Sequence, residues 1–429
     1  MNNYFAKMIY LAAAKVRNPS IPQIYREIKE SESLSRKELM SLQFKKLKNF
    51  LIFANKHSSF YQNYFSSHGF FPEKMTTASE LDKLPPLEKS DLIKYNAEIH
   101  TQYNFKKIRK AITSGTSGVA LSFMRNEEWD SANRAGVMRG YAWHGVDVWE
   151  RNGYLWGYNL DSTQSRKVKL LDSLQNRIRL FRFDKEEIEE FAKSARDATY
   201  LGGYSSMIYQ IAKKVNEQSL KFNKIKMVKG TSEMILDSYQ EEVIKAFGHK
   251  MISEYGSAET GLIGFECPEG SIHLNMDSVY VELSDEKEII VTNLRSHSFP
   301  IIRYKLGDVV TLSDEVCTCG RNSLLIKEIV GRKGKNIVGK NEEYPGFTFY
   351  YVFKNLALED GILLNYKAYQ KTKGEVIISL EAKRDNLVSE KLYKHLLQYF
   401  GDDIDFKICF ENSFDSKKKK QQSFTSELY

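Results

Sequence analysis

Apolar side chains recur at helical spacing near the start of the chain, between residues 34 and 66. The positions that carry this pattern are Leu39, Leu42, Leu47, Leu51 and Phe53. Ser35 precedes Glu38 by three residues, a spacing typical of a capping box at the first turn of a helix. The pattern therefore predicts that two or three helices open the chain and end before the loop at Pro85–Pro86.

From about residue 108 the pattern changes to short β-rich runs that alternate with helical ones. Strands are predicted at Ile108–Ile112, Gly153–Trp156, Met251–Glu254, Lys287–Thr292 and Phe299–Tyr304. Helices are predicted between them at Lys185–Tyr200 and Ser205–Gln218. Such alternation indicates α/β architecture with largely parallel sheets, followed by a more β-rich end.

Three glycines within Gly331–Gly339 interrupt this region and predict a domain junction. Beyond it lie predicted helices at Phe347–Leu358 and Asn386–Phe400 and predicted strands at Ile362–Tyr369, Glu375–Leu380 and Asp405–Phe410. The expected organisation is a large N-terminal α/β domain with a β-rich subdomain (1–330), a hinge (331–336) and a small α+β C-terminal domain (337–429).

Composition narrows the class of protein. Hydrophobic residues make up 42% of the 429 residues, enough for a sizeable core, and a net charge of +8 permits an anionic small molecule without requiring a nucleic acid. The apolar run Met8–Ala14 is too short to span a bilayer and leads into Lys15, so an amphipathic helix is expected there rather than a leader peptide. Four cysteines favour a reducing compartment, and a cytoplasmic protein is expected.

A Gly/Ser/Thr loop follows the strand predicted at Ile108–Ile112. It consists of Thr113, Ser114, Gly115, Thr116, Ser117 and Gly118. Two glycines let the backbone curl so that its N–H groups and the hydroxyls point at an anion such as a triphosphate. The alternative is an ordinary turn, and the loop is not a P-loop, because no Lys-Ser/Thr pair follows it.

Two further motifs carry carboxylates at sharp turns. The segment from Ser253 to Glu259 leaves a predicted strand, and Glu259 is placed to hold Mg²⁺ against phosphate oxygens, while Tyr255 is placed to lie along a planar base. In the segment from Arg303 to Asp308 a glycine precedes Asp308, a suitable acceptor for a pair of ribose hydroxyls. Each motif alone also fits an ordinary strand end or hairpin turn.

In their order and spacing, these motifs resemble those of the adenylate-forming enzymes, which include acyl-CoA synthetases and the adenylation domains of peptide synthetases. The motifs read TSGTSG, EYGSAE, RYKLGD and VGRKGKNI along the chain. The opening segments LSRKELMSLQ, SSFYQNYF and ELDKLPPLEKSDL are similar to the branch that contains phenylacetate–coenzyme A ligase and adenylate-forming proteins encoded with capsular polysaccharide genes. The resemblance runs from about residue 30 to the C-terminus.

The resemblance implies a set of roles. The loop Thr113–Gly118 would hold the β- and γ-phosphates of ATP, Glu259 would bind Mg²⁺, and Asp308 would hold the ribose. Tyr255 would stack on adenine with Gly256 and Ser257 beside it, and Gly230–Glu233, including Ser232 and Glu233, would line the cleft near the acyl group. Arg332 at the hinge is a further candidate ATP-binding residue. A lysine of the C-terminal domain would stabilise the transition state, and register against the chain end favours Lys420 among Lys417–Lys420.

The sequence also departs from the family pattern. The usual Pro-Lys after the glycine loop is replaced by Val119-Ala120-Leu121, and Gly334-Lys335 stands where an acidic pair is common at the hinge. Ala258 occupies the position of the threonine that bonds the α-phosphate in many relatives, and the adjacent Ser257 is the candidate substitute. The lysine run near the C-terminus also fits a solvated tail.

Three of the four cysteines fall near one histidine in the sequence. Cys267 lies six residues before His273, and Cys317 and Cys319 follow later in the chain. Three thiolates and an imidazole suit a tetrahedral, structural Zn²⁺ site, and the alternative is a cluster of free thiols beside an unrelated histidine. Some members of the resembled branch carry such a zinc.

The expected function is ATP-dependent activation of a carboxylate to an acyl-adenylate, followed by transfer of the acyl group to coenzyme A, a sugar amine or a carrier thiol. The expected cofactors are ATP, Mg²⁺, structural Zn²⁺ and coenzyme A, with no nucleic acid and no integral membrane segment. An adenylyltransferase that leaves AMP on its product and a catalytically silent scaffold in polysaccharide assembly are the alternatives. The substrate acid and the oligomeric state do not follow from the sequence.

Overall fold

The computed structural model describes most of the chain. The described residues are 2–113, 121–156, 162–180, 185–233, 235, 237–330, 336–344, 346, 348–362, 364, 366–411 and 424–428. The helices are α1 (Asn3–Arg17), α2 (Ile21–Glu30), α3 (Arg36–His57), α4 (Ser59–Ser67), α5 (Lys89–Lys94), α6 (Asn96–Ile99), α7 (Glu127–Trp143), α8 (Ser162–Leu174), α9 (Lys185–Ser194), α10 (Ser205–Glu217), α11 (Asp237–Phe247), α12 (Thr348–Glu359) and α13 (Asn386–Phe400). The strands are β1 (Ile108–Ile112), β2 (Ser122–Asn126), β3 (Asn152–Leu155), β4 (Arg177–Arg179), β5 (Tyr200–Tyr204), β6 (Met227–Thr231), β7 (Met251–Ser257), β8 (Gly261–Glu266), β9 (Ile272–Leu274), β10 (Val279–Leu283), β11 (Glu288–Asn293), β12 (Tyr304–Ser313), β13 (Leu325–Val330), β14 (Ile337–Val338), β15 (Glu343–Tyr344), β16 (Tyr366–Gln370), β17 (Glu375–Glu381), β18 (Asp405–Glu411) and β19 (Phe424–Ser426).

The helices predicted between residues 34 and 66 are present as α3 and α4. The capping box is confirmed, because the Ser35 side chain accepts a hydrogen bond from the Glu38 backbone N–H and the Glu38 carboxylate accepts one from the Ser35 N–H. Leu47 and Leu51 on α3 are fully buried, as the helical spacing requires. Among the described residues, no helix is both long and apolar enough to cross a membrane.

One large sheet organises the chain up to β13. Its strand order is β10-β11-β12-β13-β9-β8-β7-β6-β5-β3-β4. Strands β7, β6, β5, β3 and β4 are mutually parallel, but every pair from β7–β8 to β10–β11 is antiparallel. The expectation of largely parallel sheets is therefore wrong for half of this sheet, because short turns such as the one between β7 and β8 leave no room for a crossover helix.

Two further boundaries differ from the sequence prediction. The strand predicted at Phe299–Tyr304 begins only at Tyr304, because Pro300 has no N–H for a ladder and Arg303 has a positive φ of 47°. The helix predicted to run through Tyr200 ends at Ser194, and Tyr200 instead starts the buried strand β5. Tertiary packing of an aromatic residue here overrides the local helical pattern.

The region beyond residue 336 has a core of its own. Strands β18-β17-β16-β19 form a sheet on which α12 and α13 pack, and α13 has the bounds predicted from the sequence. Strand β16 begins at Tyr366, later than the predicted Ile362. The buried cluster of this region contains, among others, Ile337, Val352, Ile378 and Leu396.

Tyr351 on α12 contacts residues of the large sheet and of the helix that follows β5. Its ring meets the ring of Tyr204, at the end of β5, with centroids 5.6 Å apart in an edge-on arrangement. Tyr351 is buried in the same apolar cluster as Leu201 and Ile208. The C-terminal region therefore lies against the ends of the parallel strands.

Candidate active site

The carboxyl ends of three parallel strands lie side by side, in register, at one end of the large sheet. Tyr204 of β5 is paired in register with Thr231 of β6, and Thr231 is paired with Glu254 of β7. In open α/β sheets ligands bind in the crevice outside these strand ends. The residues that follow the three strands are therefore the candidates for binding.

The turn between β7 and β8 carries Glu259, and the backbones of the two strands approach each other closely there. A side chain at Gly256 would lie 2.3 Å from the Gly261 carbonyl oxygen, so β7 and β8 approach closely only with glycine there. The Ser257 hydroxyl accepts a hydrogen bond from the Thr260 N–H at 3.0 Å and lies 2.9 Å from the Thr260 hydroxyl. Ser257, the candidate substitute at the α-phosphate, therefore also stabilises this turn.

Glu259 is buried but lies among positive charges. One of its carboxylate oxygens is 4.0 Å from the ammonium of Lys89, and the guanidinium of Arg125 donates to the backbone carbonyl of the preceding Ala258 at 2.7 Å. Burial opposes the positive charge of Arg125, and although Asp130 and Glu259 act against this effect, the pKa of Arg125 is below its usual value. The Glu259 carboxylate thus lies near the cations of Lys89 and Arg125, and Arg125 is also paired with Asp130 at 3.6 Å. Carboxylates and cations of this kind suit a metal ion and phosphate oxygens.

Lys89 and Arg125 are not among the residues predicted from the sequence. Lys89 is placed by a short parallel bridge, in which the Leu87 N–H donates to the Arg303 carbonyl and the Lys305 N–H donates to the Leu87 carbonyl. Lys89 lies in the segment LEKSDL, which is part of one of the segments that carry the family resemblance, so this segment could have pointed to Lys89. Arg125 lies on β2 with no motif to mark it.

Tyr255 and Asp308 meet directly, although they are far apart in the sequence. The Tyr255 hydroxyl donates a hydrogen bond of 2.9 Å to a carboxylate oxygen of Asp308, on β12. The Tyr255 ring is partly buried against the main apolar cluster. A carboxylate can accept several hydrogen bonds at once, so Asp308 has the chemistry of an acceptor for hydroxyl groups.

The segment after β6 forms a strained turn. Ser232 is exposed and has a positive φ of 66°, which is uncommon for a residue other than glycine. A side chain at Gly230 would lie 2.5 Å from the Ser205 hydroxyl, and Ser205 also donates to the Glu233 carbonyl at 3.3 Å. Ser232 and Glu233 are thereby held at the same edge of the sheet as Tyr255.

The loop Thr113–Gly118, predicted to bind phosphates, is described only at its first residue, Thr113. The Thr113 N–H donates to the Leu121 carbonyl, and the Leu121 N–H donates to the Thr113 hydroxyl, each at 2.9 Å. The loop thus joins the antiparallel strands β1 and β2, and Arg125 of β2 links them to the turn that carries Glu259. Ser114–Gly118, Arg332 and Lys420 lie outside the described residues.

A buried ion pair lies beneath these strand ends and was missed by the sequence analysis. The ammonium of Lys229 on β6 donates to Glu254 on β7 at 2.6 Å, and the two side chains are 7% and 15% exposed. Lys229 also lies 5.4 Å from the ring centre of Tyr141 on α7. Glu254 begins the EYGSAE motif, but nothing in the sequence pairs it with Lys229, which lies on a different strand.

The structure brings together the four predicted metal ligands. Their ligand atoms all lie within 4.8 Å of one another, although Cys267 and His273 are separated in sequence from Cys317 and Cys319. The sulfurs of Cys267 and Cys317 are 3.7 Å apart, and Zn–S bonds of about 2.3 Å in a tetrahedron imply a sulfur separation of about 3.8 Å. Nε2 of His273 lies 3.2 Å from the Cys319 sulfur.

The surroundings of the cluster suit a metal ion. Burial and nearby arginines lower the pKa of His273 to about 4, so its ring is neutral, and Nδ1 is hydrogen-bonded to the Ser323 hydroxyl at 2.9 Å. Burial opposes ionisation of Cys317, but hydrogen bonds from Ser271 and Cys319 outweigh it and hold the pKa of this thiol below its usual value. With four protein ligands, the arrangement has the composition of a structural site.

Comparison with known proteins gives two relatives by sequence. The chain is 25% identical over 423 residues to Protein CapK of Staphylococcus aureus, covering 93% of this chain and 91% of the relative. It is 33% identical over 118 residues to the indoleacetate–lysine synthetase of Pseudomonas savastanoi, covering 26% and 29% of the two chains. No protein-family model matches the chain.

Solved structures with the same fold include 2-hydroxyisobutyryl-CoA ligase in two states. The complex with 2-HIB-AMP in the postadenylation state has a TM-score of 0.61 at 14% identity and covers 93% of this chain and 92% of that one. The complex with 2-HIB-AMP and CoA in the thioesterification state has a TM-score of 0.62 at 15% identity and covers 92% and 91%. The expected fold class and the resemblance to adenylate-forming enzymes are both confirmed.

Proposed function

We propose that the protein activates a carboxylic acid with ATP. The carboxylate oxygen attacks the α-phosphorus, the bond to the bridging oxygen breaks, and acyl-adenylate and pyrophosphate form. The acyl group then passes to a nucleophile with release of AMP. The observation that carries this proposal is the hydrogen bond between Tyr255 and Asp308, which brings the predicted adenine-stacking ring and the predicted ribose acceptor to one site.

The other predicted residues take roles that follow from their chemistry. Thr113–Gly118 would hold the β- and γ-phosphates, with Gly256 and Ser257 beside the adenine and Ser232 and Glu233 lining the cleft. The buried base of the loop, fixed by the bonds between Thr113 and Leu121, would keep its position between the two steps. Such positioning lowers the barrier of an in-line displacement without any covalent contribution from the protein.

Glu259 would hold Mg²⁺, which when bound neutralises charge on the phosphate oxygens. A single carboxylate fits this ion, which normally keeps several waters and takes the rest of its ligands from phosphates. Lys89 and Arg125 would add positive charge on the side where pyrophosphate departs. In this proposal the 4.0 Å contact between Lys89 and Glu259 is exchanged for contacts to the metal-bound phosphates.

The region 337–429 would act as a lid that rotates on a hinge at 331–336, with Arg332 near the nucleotide and Lys420, or another residue of Lys417–Lys420, reaching the α-phosphate. The contact between Tyr351 and Tyr204 supports a lid placed over the strand ends. Coenzyme A is the first candidate for the acceptor, as in a phenylacetate–CoA ligase-like enzyme. A sugar amine or carrier thiol is the alternative, and the likeness to Protein CapK favours a role in capsule polysaccharide synthesis.

The decisive experiment is ATP–pyrophosphate exchange with Mg²⁺ across aryl, fatty, hydroxy and amino acids. We expect exchange with one class of acid. Glu259→Ala should reduce the exchange rate by at least about 100-fold, since removal of one preorganised electrostatic group costs about 3–4 kcal/mol of transition-state stabilisation. Glu286→Ala, at an exposed turn, is the matched control and should retain the wild-type rate.

Other outcomes of these measurements would distinguish the ligase from the scaffold and from the adenylyltransferase. Exchange with no acid, together with no calorimetric binding of ATP, would leave a catalytically silent scaffold. A product that keeps AMP, detected by mass spectrometry in place of free AMP, would identify an adenylyltransferase. Equal exchange rates for Glu259→Ala and wild type would remove Glu259 from the proposed site.

We also propose that Cys267, His273, Cys317 and Cys319 hold a structural zinc ion. The support is the convergence of four ligand atoms on a space of tetrahedral size, the neutral imidazole and the hydrogen bond that orients it. With all four positions occupied by protein, the ion would contribute to stability and not to the reaction.

A further inference from the structure

The N-terminal helix α1 is apolar on two opposite faces, and only one of them is covered. The covered face carries Ala6, which is buried, and Tyr10, whose ring packs on Trp149 with centroids 5.7 Å apart and whose hydroxyl meets the Met138 sulfur at 3.5 Å. A helix with one apolar face normally buries that face and leaves only polar side chains in solvent. The second face of α1 therefore calls for a partner.

This second face, here called the outer face, consists of large side chains in solvent. Its exposed fractions are 66% for Tyr4, 63% for Phe5, 52% for Met8, 44% for Leu11 and 75% for Val16. Because successive residues turn by about 100°, these positions form one stripe along the helix, opposite Ala6. Contiguous exposed apolar surface of this kind marks an interaction site.

A second exposed apolar group adjoins the stripe. The Asn176 amide donates to the side-chain oxygen of Asn3 at 3.2 Å, which joins the end of α8 to the start of α1. On α8 the exposed leucines are Leu170, Leu171 and Leu174. The helix next to α1 therefore also exposes apolar side chains.

The charge around the outer face has one sign. From residue 2 to 26 the chain has Lys7, Lys15, Arg17 and Arg26 and no acidic residue. From residue 99 to 124 it has Lys106, Lys107, Arg109 and Lys110, again with no acidic residue.

The two basic segments meet at the C-terminal end of α1. The Lys107 ammonium donates to the Val16 carbonyl at 2.6 Å, and the Arg109 guanidinium donates to the Arg17 carbonyl at 3.4 Å. The neighbouring acid, Asp130, is buried and accepts from Asn18 and Arg134. At 100° per residue, Lys15 lies within the outer face and Lys7 at its edge, whereas Arg17 lies on the covered side with Ala6. Among the described residues, the cations at the outer face are therefore Lys7 and Lys15, with Lys107 at its C-terminal end.

We infer that the outer face of α1 docks on an anionic lipid surface. Such a surface has an apolar part and a negatively charged part. The apolar residues of the stripe would enter the boundary of the acyl chains, and the neighbouring cations would contact the anionic headgroups. The 15 residues of α1 span about 22 Å, less than the roughly 30 Å of a bilayer core, so the helix lies along the surface and does not cross it. A symmetric contact with a second copy would instead bring the same basic residues together.

The test is flotation of the full chain with vesicles. We expect binding to vesicles of phosphatidylglycerol and phosphatidylcholine that is at least about tenfold tighter than to phosphatidylcholine alone and that weakens as salt rises, because two or more cations contribute. Phe5→Glu/Met8→Glu should abolish it. Lys7→Gln/Lys15→Gln should weaken it by about tenfold or more.

The matched control places the same two charges on another helix. Leu387 and Leu397 on α13 are 57% and 44% exposed, so Leu387→Glu/Leu397→Glu should leave vesicle binding unchanged. All variants alter exposed side chains and should keep the wild-type thermal midpoint within about 2 °C. This check separates a lost contact from a lost fold.

Three results would overturn the inference. They are equal partition into neutral and anionic vesicles, equal loss of binding in the α13 control, and a dimer in sedimentation equilibrium that Phe5→Glu/Met8→Glu dissociates without any vesicle binding by the wild type. The last result would assign the outer face to a second copy of the chain.

Discussion

Asp277 is a buried carboxylate that binds side chains from several helices in the first third of the chain. Its side chain is 4% exposed and accepts hydrogen bonds from Arg139 on α7 at 2.8 Å, from Lys46 on α3 at 3.1 Å and from the Ser31 hydroxyl at 2.8 Å. Arg139 in turn donates to the Asn275 side chain at 2.8 Å. One carboxylate between β9 and β10 thus fastens the N-terminal helices to the sheet.

We predict that Asp277→Asn lowers the free energy of unfolding by about 3–5 kcal/mol. The amide keeps the shape but leaves the buried guanidinium of Arg139 without its counter-charge, the change that makes broken buried ion pairs costly. Urea unfolding at neutral pH measures the loss. Glu286→Gln on the surface is the control, and a difference between the two variants below about 1 kcal/mol would contradict the prediction.

The Asp277 carboxylate also makes the free energy of unfolding depend on pH. Burial opposes its ionisation, but Arg139 and Lys46 outweigh this effect and hold the pKa of Asp277 below the ordinary 3.8. A carboxyl group with a lowered folded pKa stabilises the protein above its unfolded pKa, and this contribution is lost as the pH falls through the folded pKa. The wild type should therefore lose more stability than Asp277→Asn when urea unfolding is compared at neutral pH and below about pH 3.8.

At the scale of elements, the Cys/His cluster brings together two strand connections and one short strand. Cys267 directly follows β8, His273 lies on β9, and Cys317 and Cys319 lie between β12 and β13. Strand β9 is short and pairs with both β8 and β13. A bound ion would fix these short elements to one another.

We predict that the protein purifies with one zinc ion per chain, measured by plasma mass spectrometry. Cys319→Ser should lose the ion, and so should the wild type after treatment with a chelator. The thermal midpoint should fall in both, because an ion present at 1,000 times its Kd stabilises the folded state by about 4 kcal/mol.

Cys409→Ser is the matched control for this prediction, since Cys409 lies on β18, in another sheet. It should keep the metal and the wild-type midpoint. Wild-type protein without metal, whose four thiols all react with a thiol reagent, would establish a free-thiol cluster instead.

At the scale of the whole molecule, the C-terminal region is held against the large sheet by a buried tyrosine. Tyr351 is 3% exposed, and besides Tyr204 its ring is arranged parallel to Tyr399 on α13, with centroids 6.4 Å apart. Edge-on and offset rings each add to the free energy of apolar burial. The relative position of the two regions therefore depends on this residue.

We predict that Tyr351→Ala increases the radius of gyration measured by small-angle X-ray scattering. A compact chain of this length should have a radius of about 22 Å, and removal of the buried ring should let the two regions separate. Tyr393→Ala, at a tyrosine of α13 that is 44% exposed, is the control and should leave the radius unchanged. An unchanged radius for Tyr351→Ala would show that Tyr351 supports only its own region.

The sequence was sufficient for features that depend on neighbours along the chain. The capping box of Ser35 and Glu38, the bounds of α13 and the strand β17 follow from helical or alternating spacing within one segment. The ligand types at Cys267, His273, Cys317 and Cys319 were also readable, because few residues besides cysteine and histidine suit zinc. The binding roles of Glu259, Asp308 and Lys420 remain predictions.

The sequence determined α3, α4 and α13, where candidate chemistry lies and which family the motifs resemble, because periodicity and motif order are local properties. Only the tertiary structure decided that half of the large sheet is antiparallel, that Lys89 faces Glu259 and that Lys229 pairs with Glu254. It alone also left the outer face of α1 in solvent. These features depend on which distant segments are brought together, and the free energy of such contacts comes from burial and pairing across the fold, which no window of the sequence contains.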